Sequence, residues 1–226
     1  MPPRALVLVN ADDLGYDPAI DRGILEAHAR GLVTAATAMV DTPFSVRILA
    51  EAPATLDLGL HAVLRPEASA AEAAGELARQ IDRFRALRGA PPTHLDSHRH
   101  HHALPALLPA FVDAARREGL PLRALDPAMR DALRAQGVSA PDHFLGDAAL
   151  RPCWTRERLL AVLARLPGGS VEIMCHPGHA PTHARTSFGP EREVELAALL
   201  DPAARAALAG AGGAPGHFAD LAAARR

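Results

Sequence analysis

Acidic and histidine side chains stand at four places in this chain where a short apolar run ends. The four groups are Asp12 and Asp13; His61; Asp96 with His98, His100 and His102; and Glu172 with His176. In a parallel α/β sheet the carboxyl ends of the strands converge on one face, so we expect these groups to meet there. Carboxylates and imidazoles that converge in this way can hold a divalent metal ion and place a general base and a general acid beside it.

The group that begins at Asp96 has a period of two residues. On an extended strand, side chains two residues apart lie on one face, which predicts that all four polar side chains of this group share a face. Neighbours in such a row are about 6.6 Å apart along the strand, so the three histidines cannot all bind one ion. Carboxylate and imidazole ligands suit zinc or a harder divalent cation. The alternative is a polar surface stretch, which fits poorly with the apolar residues that lead into Leu95.

The other groups each have a simpler interpretation. Asp12 and Asp13 are of a residue type that also favours a turn or the cap of a following helix. His61 taken alone is typical of a buried or loop histidine, and it gains weight only from the other groups. His176 precedes a Pro-Gly turn, where an imidazole at a strand end can serve as a general acid, but an ordinary loop histidine would look the same.

Hydrophobic periodicity predicts alternating strands and helices. The predicted strands are Leu6–Val9, Val33–Val40, Leu56–Val63, Thr93–His98, Leu120–Leu125 and Val171–Cys175. The predicted helices are Pro18–Arg30, Ala70–Leu87, Pro105–Glu118, Thr155–Leu166, Pro190–Leu200 and Pro202–Leu208. This alternation favours parallel βαβ units, in a barrel or a doubly wound sheet. We see no repeat or linker, so residues 1–226 are expected to form a single domain, with a Gly- and Ala-rich tail from about residue 209 that is loose.

Composition narrows the class of protein. The chain has 226 residues, 24 basic and 26 acidic side chains and 4% aromatic residues, with no basic stripe of the kind that binds nucleic acid. Its apolar runs, about eight residues long, are too short to cross a bilayer, and no signal peptide is visible before the first strand. Cys153 and Cys175 do not make a disulfide framework. We therefore expect a cytoplasmic protein that binds a small molecule.

Five stretches taken together resemble the YdjC-like carbohydrate deacetylase family, which includes chitooligosaccharide deacetylases and hopanoid-biosynthesis deacetylases. The stretches are Val9–Gly15, Gly31–Thr37, Gly59–His61, Thr93–His100 and Glu172–Gly178. They extend over most of the chain, and their order and combination are specific.

The resemblance implies an irregular (β/α) barrel of mostly parallel strands that removes acetyl groups from N-acetylated amino sugars. It implies one divalent metal ion held by Asp13, His61 and His98, and Asp12 as the general base. The family is usually described with Mg²⁺, whereas two imidazole ligands favour Zn²⁺. His176 is then the candidate that protonates the leaving amine.

Further residues are expected around this centre. Asp96 is placed to orient a ligand histidine. Contacts to the ligands or to the substrate are expected from His100, His102, Glu172 and Arg185. The substrate would be a small or lipid-linked amino sugar. The sequence is compatible with either a monomer or a homodimer.

Two other classes of function remain. Arginines such as Arg99 and Arg185 would suit another metal hydrolase, for example a phosphoesterase. A metal- or sugar-binding protein without catalysis would need the metal ligands but neither Asp12 nor His176.

The chain departs from the family pattern at two places. Only residues 64–69 connect the Gly-Leu-His motif to the next helix, where family members commonly have a long segment that shapes the substrate mouth. This predicts an open mouth and poor use of chitobiose. Near the C-terminus, residues 210–216 are rich in glycine where an apolar strand is expected.

Overall fold

The structure, a computed structural model, describes residues 5–146 and 149–223. The strands are β1 (Ala5–Leu14), β2 (Ala35–Ala38), β3 (Asp57–Ala62), β4 (Leu95–Ser97), β5 (His143–Leu145), β6 (Gly169–Cys175) and β7 (Gly213–Pro215). The helices are α1 (Pro18–Arg30), α2 (Ser45–Glu51), α3 (Ala70–Arg88), α4 (Leu108–Glu118), α5 (Pro127–Ala135), α6 (Arg156–Leu163), α7 (Glu191–Leu200), α8 (Pro202–Gly210) and α9 (Asp220–Ala223). A 3₁₀ segment, His98–Ala103, follows β4 directly.

The strands form a parallel sheet that curves into an irregular barrel. Their order is β4-β3-β2-β1-β6-β5, and β7 pairs with the first half of β1. The two edge strands, β4 and β5, are linked through residues without regular secondary structure. Leu95 in β4 forms a parallel bridge with Leu122. The Leu122 amide in turn donates to the Ser139 carbonyl at 2.9 Å, just before the chain enters β5. The fold is the α/β barrel that the resemblance implied.

Opposite faces of β1 are buried against different parts of the molecule. Val9 belongs to the main apolar core together with Ile20 of α1. Leu8 packs instead in a small separate cluster with Phe218. The Phe218 ring also stacks on His94, with ring centroids 3.5 Å apart. The segment after β7 therefore covers the inner face of the sheet at the end away from the strand carboxyl termini.

A bulge ends β1. The register between β1 and β2 shifts between Ala11 and Leu14, and Asp13 has a φ of 74°, in the left-handed region. Successive strand side chains normally point to opposite faces, and a bulge breaks this alternation. Asp12 and Asp13 can therefore both line one site, which a regular strand would not allow.

Local side chains fix where several helices begin. Asp17 caps α1, accepting from the Ala19 amide at 2.8 Å. Ser69 and Glu72 form a reciprocal capping box at the start of α3. Thr155 caps α6, accepting from the Arg158 amide.

The predicted helices are all present, α1 with the predicted bounds and the others with ends moved by up to about three residues. The strand predicted at Leu120–Leu125 is wrong, because only Leu122 forms a bridge there. The tail that was expected to be loose contains a strand, since residues 213–215 form β7, whose backbone pairing with β1 does not need apolar side chains. Within the described residues, no helix has both the length and the apolar character needed to cross a membrane.

Candidate active site

A cleft of about 210 Å³ opens at the carboxyl ends of the strands. The predicted site residues that line it are Asp12, Asp13, His61, His98, His100, His176 and Arg185. Asp96 and Glu172 are fully buried and contact Arg123, which also contacts the cleft residue Asp12. The structure thus brings nearly all of the predicted residues to one end of the barrel.

Asp13, His61 and His98 each offer a ligand atom, and these atoms lie within 4.8 Å of one another. Asp13 Oδ1 is 3.3 Å from His61 Nε2 and 3.3 Å from His98 Nδ1. Neither contact has hydrogen-bond geometry, so Oδ1 is buried without a hydrogen-bond partner among the residues described. One carboxylate oxygen and two imidazole nitrogens that converge on a point can hold a divalent cation and leave positions open for water and substrate.

Arg192 of α7 holds the other oxygen of the same carboxylate. Its Nη2 donates to Asp13 Oδ2 at 2.6 Å, and its Nε donates to the Phe188 carbonyl at 2.9 Å. Burial opposes the charge of Asp13, but the Arg192 guanidinium together with His61 and His98 outweighs burial and keeps the pKa of that carboxyl well below its usual range. Arg192 therefore keeps Asp13 ionised and turns its free oxygen toward the two histidines.

His61 is oriented by a carboxylate behind it. Its Nδ1 lies 2.7 Å from Asp96 Oδ1, and Thr37 Oγ1 donates to Asp96 Oδ2 at 2.9 Å. An imidazole that donates from Nδ1 presents the Nε2 lone pair to a metal ion, the usual arrangement for a ligand histidine. Burial works against a proton on His61, yet Asp96 and Asp12 outweigh it and raise the pKa of the ring to about 10 when no cation replaces that proton.

Arg123 joins three carboxylates inside the barrel. It makes a two-pronged contact with Asp12, 2.8 Å from Nη1 to Oδ2 and 2.7 Å from Nη2 to Oδ1. Its Nη2 also lies 2.8 Å from Asp96 Oδ2, and its Nε donates to Glu172 Oε1 at 2.7 Å. Burial would raise the pKa of Asp12, but Arg123 holds it well below its usual range. Asp12 is therefore ionised at the edge of the cleft, as a proton acceptor must be.

Glu172 differs from the other two carboxylates. It is fully buried, and its Oε2 has no hydrogen-bond partner in the described part of the chain. Burial is the largest cause that raises its pKa, to about 7, and the charges of Asp96 and Asp12 add to it against the opposing effect of Arg123. A single guanidinium thus does not fully neutralise all three acids.

His176 lines the cleft directly after β6, the strand that pairs with β1. Its ring packs on Phe188, with centroids 5.0 Å apart. Glu195 of α7 fixes the backbone beside it, since Oε2 accepts from the His176 amide at 2.7 Å and Oε1 accepts from the Cys153 amide at 2.8 Å. Because Glu195 fixes the main chain of His176, the imidazole keeps its position at the wall of the cleft.

The prediction of an extended row after Asp96 is wrong. The chain leaves the extended conformation at His98, and Arg99 and His100 have φ values of 55° and 56°. His100 still lines the cleft, but burial and then Arg123 lower its pKa to about 3. His102 is turned away into the core, where its Nδ1 lies 2.8 Å from Ser97 Oγ. Period two ends because β4 is only three residues long.

The loop between β6 and α7 forms one wall of the cleft. Asp17 Oδ2 accepts from the amides of Thr182, His183 and Ala184 at 3.0, 2.6 and 2.9 Å. Tyr16 donates from its hydroxyl to the Arg185 carbonyl at 3.0 Å. Tyr16 and Asp17, which follow the two aspartates of the site, therefore also hold the loop between β6 and α7 in place.

Three buried charges near the site, Arg123, Arg192 and Glu195, were not predicted from the sequence. Arg123 interrupts the apolar run Leu120–Leu125, and a charge inside such a run is a signal that could have been used. Arg192 and Glu195 sit in the amphipathic α7, where the sequence offers no sign that they face the site.

Comparison with known proteins is consistent with this architecture. The chain matches the family model described as YdjC-like protein over residues 6–68 and 65–210. It therefore belongs to the YdjC-like family.

Three relatives cover nearly the whole chain. A carbohydrate deacetylase from Geobacillus stearothermophilus is 34% identical over 86% of this chain and 89% of its own. A chitooligosaccharide deacetylase from Salmonella typhimurium is 31% identical over 96% of this chain and 99% of its own. The crystal structure of a candidate cellobiose-phosphate cleavage protein from Enterococcus faecalis superposes with a TM-score of 0.85 and 26% identity, covering 97% of this chain and 99% of that one.

Proposed function

We propose that this protein is a divalent-metal-dependent carbohydrate deacetylase that hydrolyses the acetamide of an N-acetylated amino sugar. The observation that carries the proposal is the buried Asp13 Oδ1, which lacks a hydrogen-bond partner among the described residues and faces His61 and His98. A buried carboxylate oxygen left in this way costs free energy unless a ligand satisfies it. The deacetylase names of the relatives in Geobacillus and Salmonella support the same reaction.

The donor set fits a divalent cation. Asp13 is kept ionised by Arg192, and His61 is oriented from behind by Asp96. When bound, such an ion would polarise the acetyl carbonyl and acidify water. Two imidazoles and one carboxylate suit Zn²⁺ and its neighbours, while Mg²⁺ prefers more oxygen ligands.

The reaction needs two proton transfers, and Asp12 and His176 each carry out one of them. Asp12 accepts the proton of the attacking water, because Arg123 keeps its carboxylate ionised at the cleft. His176, which lines the same cleft, donates a proton to the sugar nitrogen as the C–N bond breaks. Each of these roles is typically worth about 10²–10⁴ in rate.

A second reaction is favoured by one feature of the cleft. Arg99, Arg151 and Arg185 all contribute to its lining, and guanidinium groups bind phosphate well. Hydrolysis of a phosphate ester at the same metal site is therefore the alternative that the experiment must separate.

The test is product release from a panel of N-acetylated sugars and of phosphorylated sugars. We expect acetate from the first group, loss of acetate release after chelation, and recovery when Zn²⁺, Co²⁺ or Mg²⁺ is added back. His61→Ala and His98→Ala should lose the ion and the activity, while Arg205→Ala on the surface of α8 is the control. Phosphate release without acetate release would show that the protein hydrolyses phosphate esters instead. Full activity in the chelated protein would rule out the proposed dependence on a metal ion.

A further inference from the structure

A second cluster of metal-binding side chains lies beside His176. Cys153, His176 and Glu195 each offer a ligand atom, and these atoms lie within 4.8 Å of one another. Cys153 and Glu195 are 1% and 0% exposed. The cluster shares no residue with Asp13, His61 and His98, and neither the family match nor the proposed reaction gives it a metal.

The geometry leaves coordinating capacity at Glu195 and at His176, both of which have a ligand atom within 4.8 Å of the Cys153 sulfur. The two oxygens of Glu195 each accept one amide hydrogen, from Cys153 and from His176, and a carboxylate oxygen has a further lone pair. His176 Nδ1 is buried and has no hydrogen-bond partner within residues 5–146 and 149–223. A buried ring nitrogen of this kind is satisfied by a cation placed between it and the other two groups.

We propose that Cys153, His176 and Glu195 form a second, inhibitory site for a thiophilic divalent cation such as Zn²⁺. Thiolate, imidazole and carboxylate are the ligands that Zn²⁺ takes in proteins. On binding, the Cys153 thiol loses its proton to solvent and the sulfur bonds the cation as a thiolate. His176 lines the cleft, which gives the ion a route from solvent.

Occupation of this site removes the proton donor of the reaction, a consequence that rests on the proposed function. A nitrogen that binds a cation cannot take up the second proton that makes imidazole an acid. Loss of a general acid lowers turnover by about 10²-fold. Low Zn²⁺ therefore activates the enzyme through Asp13, His61 and His98, and excess Zn²⁺ inhibits it through the Cys153 cluster.

Cobalt reports directly on the sulfur ligand. The chelated protein is titrated with Co²⁺, and a thiolate-to-cobalt band in the near ultraviolet is followed together with bound stoichiometry. We expect the band with the second equivalent in the wild type and in Cys175→Ser, the other cysteine of the chain. We expect no band in Cys153→Ser or Cys153→Ala. His61→Ala should keep the band, which separates this site from the one in the proposed function.

Inhibition is measured on the same proteins. Cys153→Ser should keep basal acetate release and lose the inhibition by excess Zn²⁺, while Cys175→Ser keeps both. If the Cys153 variants do not fold, a band retained in Cys175→Ser identifies Cys153 by elimination, because the chain has two cysteines. A wild-type protein without the band, a band that persists in folded Cys153→Ser, or inhibition unchanged in that variant would each overturn the proposal.

Discussion

One guanidinium contacts three acids inside the barrel and affects two of them, Asp12 and Glu172, differently. Arg123 contacts Asp12 through both of its terminal nitrogens but reaches Glu172 only through Nε. This unequal sharing accounts for a carboxylate that stays charged at the cleft and another, deeper in the barrel, whose pKa is raised to about 7. The arrangement favours a proton acceptor at Asp12 and a Glu172 that is partly protonated near neutral pH.

Glu172→Gln tests this unequal sharing through stability. The folded pKa of Glu172 lies above its ordinary value, so its neutral form stabilises the fold below about pH 4.5, and that stability is lost as the pH rises through about 7. Glutamine cannot ionise and can still accept from Arg123. The free energy of unfolding of the wild type relative to the variant should therefore fall by roughly 3 kcal/mol from pH 4 to pH 8. Chemical unfolding at several pH values measures it, and parallel curves for the two proteins would refute the shift.

Arg192→Met should weaken metal binding. Without the guanidinium, the charge of Asp13 is buried with less compensation and its free oxygen is no longer oriented. Loss of such a supporting contact typically costs about 10–100-fold in affinity. Calorimetric titration with Zn²⁺ measures the change, and Arg156→Met, which removes an exposed ion pair with Asp201, is the control. Equal affinities in the two variants would mean that Arg192 does not support the ligand.

At the scale of single residues, the sequence predicted the polar groups but not the cations between them. Asp and His at strand ends carry a local signal, namely their position after an apolar run. Arg192 reaches Asp13 from a helix 179 residues later, and no local pattern reports a contact of that range.

At the scale of elements, α1 holds the turn that carries His176. An added Cβ on Gly23 of α1 would lie 2.4 Å from the Cα of Gly178, and the His179 amide donates to the Ala19 carbonyl at 3.2 Å. The helix and the turn thus meet backbone to backbone. Only glycine at position 23 permits this approach.

Gly23→Ala should therefore destabilise the protein, although alanine normally favours a helix. We expect a loss of about 1–3 kcal/mol from the forced separation of backbone atoms, and slower turnover as His176 is displaced. Gly75→Ala in α3 is the matched control, because an added Cβ there meets nothing within 4 Å. It should stabilise by about 0.5–1 kcal/mol. Urea unfolding of both variants decides the point, and a stabilising Gly23→Ala would show that the two backbones are not in contact.

The helices were predictable because their periodicity and caps are local, as at α1 with Asp17 and Gly31. The chain after β4 was not. Three residues of strand followed by two left-handed residues produce a turn that alternation of residue types cannot reveal. The interactions that stabilise it, such as Ser97 with His102, become visible only in three dimensions.

At the scale of the whole molecule, the barrel is covered at one end and open at the other. Phe218 on His94 covers the inner face away from the cleft. At the open end, the chain between β3 and α3 is only residues 63–69, so little polypeptide rises over that side of the mouth. Remote contacts are what hold a large substrate in register.

We therefore expect chitobiose to be a poorer substrate than N-acetylglucosamine or a glycolipid analogue that approaches from outside. Specificity constants for the three, measured on one metal-loaded preparation, provide the comparison. A clear preference for chitobiose would contradict the prediction and would assign the missing contacts to the loop fastened by Asp17 or to a second subunit.

The most direct test of the account compares acetate release by Asp12→Asn and by the wild type at equal metal occupancy. Asparagine has nearly the shape of aspartate and can still accept from Arg123, but it cannot take a proton from water. We predict one bound metal ion per chain at the Asp13 site, an unchanged fold, and turnover lower by about 10² or more. Near-normal acetate release from the fully loaded variant would contradict the account, because the base would then lie elsewhere.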